Sequence, residues 1–195
     1  MEMAERRGLI ERETSETSIR ADVVLESSEP SEIQTGLGFF DHMLDALTRH
    51  GRLRLSLRCS GDLHVDDHHT IEDCALAIGA AIDEALGDRS GVTRFGSAYA
   101  PLDESLARAV IDLSGRPHAT VELGLSREML GDVACENLAH FFVSLATASR
   151  MTLPLDVLRG SNDPPPVQAA FKAFAVAPPQ AVALDPTPLP LAPPH

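Results

Sequence analysis

The strongest constraint on the fold is a pattern that occurs twice. His42-Met43-Leu44-Asp45-Ala46-Leu47 reads over His140-Phe141-Phe142-Val143-Ser144-Leu145. In step with it, residues 53–57 fall near 151–155, and Ser60-Gly61-Asp62-Leu63 falls near Arg159-Gly160-Ser161-Asn162. The Ala-rich run 75–86 then falls over 171–182. Each half reads helix, strand, turn, special segment, helix, the mark of a duplicated supersecondary unit. The expected division is a first β/α repeat over 1–90 and a second over 91–185. A Pro-rich tail over 186–195 is expected to be disordered.

The special segment of the first half is Gly61-Asp62-Leu63-His64-Val65-Asp66-Asp67-His68-His69-Thr70-Ile71-Glu72-Asp73, with three histidines and five carboxylates. A helix starting here puts His68 with Glu72, and His69 with Asp73, on common faces, because residues four apart are neighbours. Carboxylates favour helix N-termini, which accounts for Asp66, Asp67 and Asp73. Two adjacent histidines followed by Glu72 are ligand chemistry for a divalent transition metal. In the second half the same positions hold Pro164, Pro165 and Gln168. Proline offers no ligand and Gln168 is a neutral oxygen donor.

The remaining elements follow from periodicity. Residues 11–26 read as a strand, with Ile19, Val23 and Leu25 apolar. Thr14-Ser15-Glu16-Thr17 within it reads, from spacing alone, as the solvent face of an edge strand. A helix is expected over 39–50, carrying His42 and His50 and closed by Gly51. Residues 53–59 alternate as a half-buried strand, and 74–86 form a buried helix. Strands are expected over 93–98, 105–112, 118–123 and 151–158, and helices over 136–149 and 167–177. Ser114-Gly115-Arg116-Pro117 is a turn.

Composition narrows the function. A net charge of −13 argues against nucleic acid or an anionic membrane as the partner. The cysteines, Cys59, Cys74 and Cys135, are odd in number and form no C-x-x-C, which suits a reducing compartment. No apolar run has the length of a membrane span. The charged N-terminal stretch fits neither a signal nor a transit peptide, so cytoplasm is expected.

Several motifs in order resemble one family. They are Gly36-Leu37-Gly38-Phe39-Phe40-Asp41-His42-Met43, Gly61-Asp62-Leu63-His64, Asp66-Asp67-His68-His69-Thr70-Ile71-Glu72-Asp73, Pro101-Leu102-Asp103-Glu104, Asp112-Leu113-Ser114-Gly115-Arg116-Pro117 and Phe171-Lys172-Ala173. Together they resemble imidazoleglycerol-phosphate dehydratase over about residues 10–177. The resemblance implies a lyase of histidine biosynthesis acting on a small phosphate substrate. It implies an α+β fold of duplicated half-domains, each a four-stranded sheet with helices on one face (ribosomal protein S5 domain 2-like). It also implies two Mn2+ ions per site, and a homo-oligomeric shell of 24 subunits with sites between subunits. Carried over by position, the metal ligands are His42, His68, His69, Glu72 and His140. Glu16 is the acid/base group, which revises the edge-strand reading, and Glu72 joins it in catalysis. His50, Arg94, Arg116 and Lys172 contact substrate, the last three at its phosphate.

The chain also departs from that family. Its second His-His-x-x-Glu is replaced by Pro164, Pro165 and Gln168, and a histidine expected near Leu153 is Pro154. The C-terminal Ser-x-Lys-Gly segment has no counterpart in 186–195. Pro178 and Pro179 are expected to interrupt the last helix. Eleven of the 14 prolines lie at or after Pro154. This composition fits either a relative that has lost its second metal motif or a corrupted reading of the end of the gene, which resequencing separates. The alternative function is therefore an inactive, metal-binding relative holding one Mn2+ or fewer. A zinc hydrolase is disfavoured, since no open zinc triad with a separate base stands out.

Overall fold

The computed structural model describes residues 5–160 and 165–185. Pro164 and the tail 186–195 lie outside the described residues. The first half comprises β1 (Arg7–Glu13), β2 (Thr17–Val24), β3 (Glu32–Gln34), α1 (Gly38–Gly51), β4 (Arg54–Gly61) and α2 (His68–Leu86). The second comprises β5 (Phe95–Leu102), β6 (Ser105–Asp112), β7 (His118–Glu122), a small hairpin of β8 (Met129–Leu130) and β9 (Val133–Ala134), α3 (Cys135–Ala148), β10 (Thr152–Arg159), α4 (Pro165–Val176) and α5 (Pro178–Val182). One sheet has the order β1-β2-β4-β3 and the other β5-β6-β10-β7. In both, the first three strands are antiparallel and the last pair is parallel. The two halves thus share one topology, as the repeat requires.

Alternation builds each sheet with one covered face. β6 buries Ser105, Ala107, Ala109 and Ile111, and β2 buries Ile19, Ala21 and Val23. The opposite faces carry exposed groups such as Tyr99 and Phe95. Small residues on the covered faces let helices approach closely. A Cβ at Gly8 in β1 would lie 1.9 Å from the Ala81 carbonyl oxygen of α2. Its counterpart at Gly96 in β5 would lie 2.2 Å from that of Ala177, just past α4. The same close contact is therefore built twice, at matching positions.

The helices meet across the halves. α2 packs on α3 as well as on β1 and β2, and α4 packs on α1 as well as on β5 and β6. Phe40, Phe141, Phe142, Phe171 and Phe174 are buried where α1, α3 and α4 converge. Phe40 and Phe141 meet edge to face at 5.3 Å, and Phe142 lies 4.7 Å from Phe171. Such pairs add about 0.5–1.5 kcal/mol each beyond area burial. One apolar core spans both sheets.

Several boundaries differ from expectation. The strand expected over 11–26 is a hairpin, with Thr14 to Glu16 at its turn. Helix α2 begins at His68 rather than Cys74, so the His-rich segment is itself the helix start. β5 runs on through Pro101, which an edge strand tolerates because one side of it needs no ladder bonds. Pro154 lies in an inner strand, where it cannot donate. There the pairing of β10 with β6 is recorded at Thr152 and Leu155 but not between them. The expected interruption by Pro178 and Pro179 occurs: α4 ends at Val176, and both prolines open a separate short helix, a position that suits them.

Candidate functional site

The start of α2 is built by side chains that cap and tether it. The Asp66 carboxylate accepts the His68 backbone N–H at 3.0 Å. The Asp67 carboxylate accepts the Ala134 N–H at 2.8 Å, tying the β8–β9 hairpin to this helix end. The same hairpin reaches α1, where Asp132 accepts the N–H groups of Gly38 at 2.6 Å and Phe39 at 3.1 Å. A carboxylate from the second half therefore caps a helix of the first, satisfying donors that the helix cannot satisfy itself.

On this base stand the two histidines. His68 Nδ1–H donates to Asn137 Oδ1 at 2.9 Å, and His69 Nδ1–H donates to Asp62 Oδ2 at 2.9 Å. His68 Nε2 lies 3.4 Å from Glu72 Oε2, one turn on. The Asp62 hydrogen bond raises the His69 pKa above the ordinary imidazole value, and the same bond lowers that of Asp62. His140 of α3 meets the His68 ring edge to face at 5.5 Å.

The Glu16 turn is strapped over the same helix end. Thr14 Oγ1 accepts the N–H groups of Glu16 at 3.2 Å and Thr17 at 3.0 Å, which closes the turn without glycine. Asp73, buried in α2, then accepts the Thr17 hydroxyl at 2.6 Å and the Arg12 guanidinium at 3.0 Å. Ser15 Oγ donates to Glu16 at 2.6 Å, and this bond chiefly holds the Glu16 pKa below the ordinary carboxylate value. Glu16 and His69 are near enough for each charge to act on the other.

The tether depends on Gly61, which pairs with Thr17. A Cβ there would lie 2.1 Å from Thr70 Oγ1 in the first turn of α2. Gly61→Ala is expected to destabilise the fold by about 1–3 kcal/mol through forced displacement of that turn. Denaturant unfolding beside the parent checks this, and an unchanged midpoint contradicts it.

The structure thus gathers Glu16, His68, His69, Glu72 and His140 at one end of the helical layer. His140 comes from the second half, so its helix serves the segment of the first. The duplication applies the same crossing to His42. α1 packs on α4, with Gly51 near the Ala175 carbonyl, so His42 lies toward the start of α4. That start offers Pro165 and Gln168.

The four residues expected to contact substrate are not brought to this end in one chain. His50 is in the last turn of α1, eight residues from His42, or roughly 12 Å along the axis. Arg94 is beside α5, where its backbone N–H meets the Ala181 carbonyl. Its guanidinium grips Asp112 at 2.7 and 3.2 Å and lies over Phe95, rather than standing free for a phosphate. Arg116 is exposed beyond β6, and Lys172 is part-buried in the middle of α4.

For a metal, the donor chemistry fits at α2. Both imidazoles have Nδ1 engaged and Nε2 turned from it, the pattern seen when histidine binds a metal through Nε2. Among the described residues, however, no three His, Cys, Asp or Glu side chains are grouped as one ion requires. The start of α4 does not fit, since Pro165 has no donor atom. Periodicity also passed over Asn137 and Asp132, although a buried Asn in a helix's first turn and a Gly-Asp pair between apolar residues were available signals.

A duplicated βββαβα architecture with imidazole and carboxylate side chains at a helix start defines the class as a duplicated α+β protein. The sequence pattern described as imidazoleglycerol-phosphate dehydratase matches residues 35–177. The imidazoleglycerol-phosphate dehydratase of Saccharomyces cerevisiae is 49% identical over 199 residues, covering 90% of each chain. That of Kluyveromyces lactis is 51% identical over 179 residues, covering 92% of this chain and 79% of the relative. Among solved structures, the Staphylococcus aureus dehydratase superposes with a TM-score of 0.82 at 34% identity, covering 91% of this chain and 99% of that one. The chain belongs to the imidazoleglycerol-phosphate dehydratase family. Membership in that family makes it a hydro-lyase by class.

Proposed function

We propose that the chain is a dehydratase of histidine biosynthesis that converts imidazole glycerol phosphate to imidazole acetol phosphate with Mn2+, and that only one of its two metal motifs is intact. The observation that carries this reading is the convergence of Glu16, His68, His69, Glu72 and His140 at the start of α2. His68, His69, Glu72 and His140 would each give a donor to bound metal, with donors from a second copy completing the sphere. Bound there, Mn2+ supplies positive charge that stabilises electron density pushed into the substrate's imidazole ring. The hydroxyl on the carbon beside that ring would leave as water, while Glu16, ionised and fixed by its hydroxyl-capped turn, would accept the proton from the next carbon. The enol so formed becomes the ketone as a proton is returned to the carbon beside the ring. Its tether to Asp73 keeps it over the helix end. Arg94, Arg116 and Lys172 would bind phosphate through charge-assisted hydrogen bonds, with Arg94 first released from Asp112. These groups and His50 lie away from the metal donors within a chain, so a second copy has to supply them. A homo-oligomeric shell, of 24 subunits in the family resemblance, would do so in a cytoplasmic setting. Among the described residues no helix is long and apolar enough to cross a membrane.

The second reading is an inactive, metal-binding relative, and Pro165 and Gln168 at the start of α4 favour it. An assay with and without Mn2+ separates the two. The expected result is Mn2+-stimulated turnover, abolished by chelation, on the order of a hundredfold or more below that of the S. cerevisiae relative. No turnover under any metal condition supports the second reading.

A further inference from the structure

We propose that Asn137 and Asp62 are positioning residues that fix His68 and His69 as an unequal pair of metal donors. The inference rests on the metal-binding reading of α2 and deepens it. Asn137 is in α3, is buried to 3% exposure, and presents Oδ1 to His68 Nδ1 at 2.9 Å. An amide oxygen can only accept, so Nδ1 carries the proton and Nε2 keeps its lone pair. Asp62, in the turn before α2, does the same for His69 at 2.9 Å, but with a full negative charge. Both rings are held in the same tautomer by partners outside their own helix. A carboxylate behind an imidazole makes it a stronger donor than an amide does. His69 is therefore the stronger ligand and His68 the weaker one.

Asn137 also links the halves. It lies one turn before His140, whose ring meets that of His68. One stretch of α3 therefore both orients a first-half ligand and contributes its neighbour. A shift of α3 against α2 would release the His68 ring and withdraw His140 together. No such coupling acts on His69, whose partner belongs to its own half.

Mn2+ titration of the full chain, read by loss of the six-line EPR signal of free Mn2+, tests this with Asn137→Ala, Asn137→Asp and Asp62→Ala. Parent binding weakened about 10–100-fold by either alanine variant is expected, the cost typical of removing such a partner. Asn137→Asp is expected to bind at least as tightly as the parent while melting at a lower temperature, because it buries a charge. A purely structural role for Asn137 makes affinity follow stability, and that result overturns the proposal. Parent binding left unchanged in both alanine variants also overturns it. A parent that takes up no Mn2+ overturns the underlying metal reading instead, and the positioning role with it.

Discussion

A variant carrying Pro164→His, Pro165→His and Gln168→Glu together is expected to dehydrate imidazole glycerol phosphate about a thousandfold faster than the parent with Mn2+ present. Metal stabilisation of developing charge is worth several kcal/mol, and each 1.4 kcal/mol is tenfold in rate. α4 begins at Pro165, much as α2 begins at His68, so the new side chains at 165 and 168 land at a helix start of the same kind. α1 packs along α4, which brings His42 toward them. Pro166 remains in the first turn, where proline is tolerated, so the helix keeps its own start signal. Steady-state kinetics with circular dichroism as a folding control check the result. A folded triple variant with no gain in turnover contradicts the account of the second half.

In that restored background, Glu16→Gln is expected to lower kcat by about 10^2–10^4 with little change in KM, the range for loss of a general acid/base. Glutamine keeps the size of the side chain and still accepts from Ser15, so the turn survives. What is lost is the ability to take a proton. The Ser15 hydroxyl also sets the pH dependence of the Glu16 charge. It favours the ionised form, so Glu16 itself should stay ionised as pH falls through the usual glutamate range, and protonation of the histidine donors, His69 among them, should end activity first. Ser15→Ala removes the largest cause of that shift and should raise the pH at which the Glu16 carboxylate protonates, followed by its NMR titration. A Glu16→Gln variant with unaltered kcat would remove Glu16 from the chemistry.

The duplication was legible because the spacing repeats in enough places that helices, strands and turns had to share an architecture. The matched contacts of Gly8 with Ala81 and Gly96 with Ala177 show how tightly the two copies keep it. That His68, His69 and Glu72 share one helix start was legible from their spacing, which brings His68 beside Glu72 one turn on. The Glu16 hairpin was not, because its turn has no Gly, Pro or Asn-Gly pair. Thr14 replaces those signals with a hydroxyl that accepts two backbone donors, and a strand pattern ran across it. The β8–β9 hairpin carried a readable Gly-Asp pair, Gly131-Asp132, between short apolar stretches, and its brevity hid it. The crossing of His140 to the segment of the other half could not be read at all. Sequence order assigns a helix to its own repeat, whereas the packing of α2 on α3 decides which donors meet.

That crossing makes the account simple to count. The start of α2 with His140 is one set of donors, and the start of α4 with His42 is the other, stripped one. Metal analysis of the purified parent and the triple variant, after exchange into excess Mn2+ and removal of free ion, reads the two sets directly. The account predicts about one Mn2+ per parent chain and about two per chain of the triple variant, following the supply of imidazole and carboxylate donors. About two in the parent, or none, contradicts it.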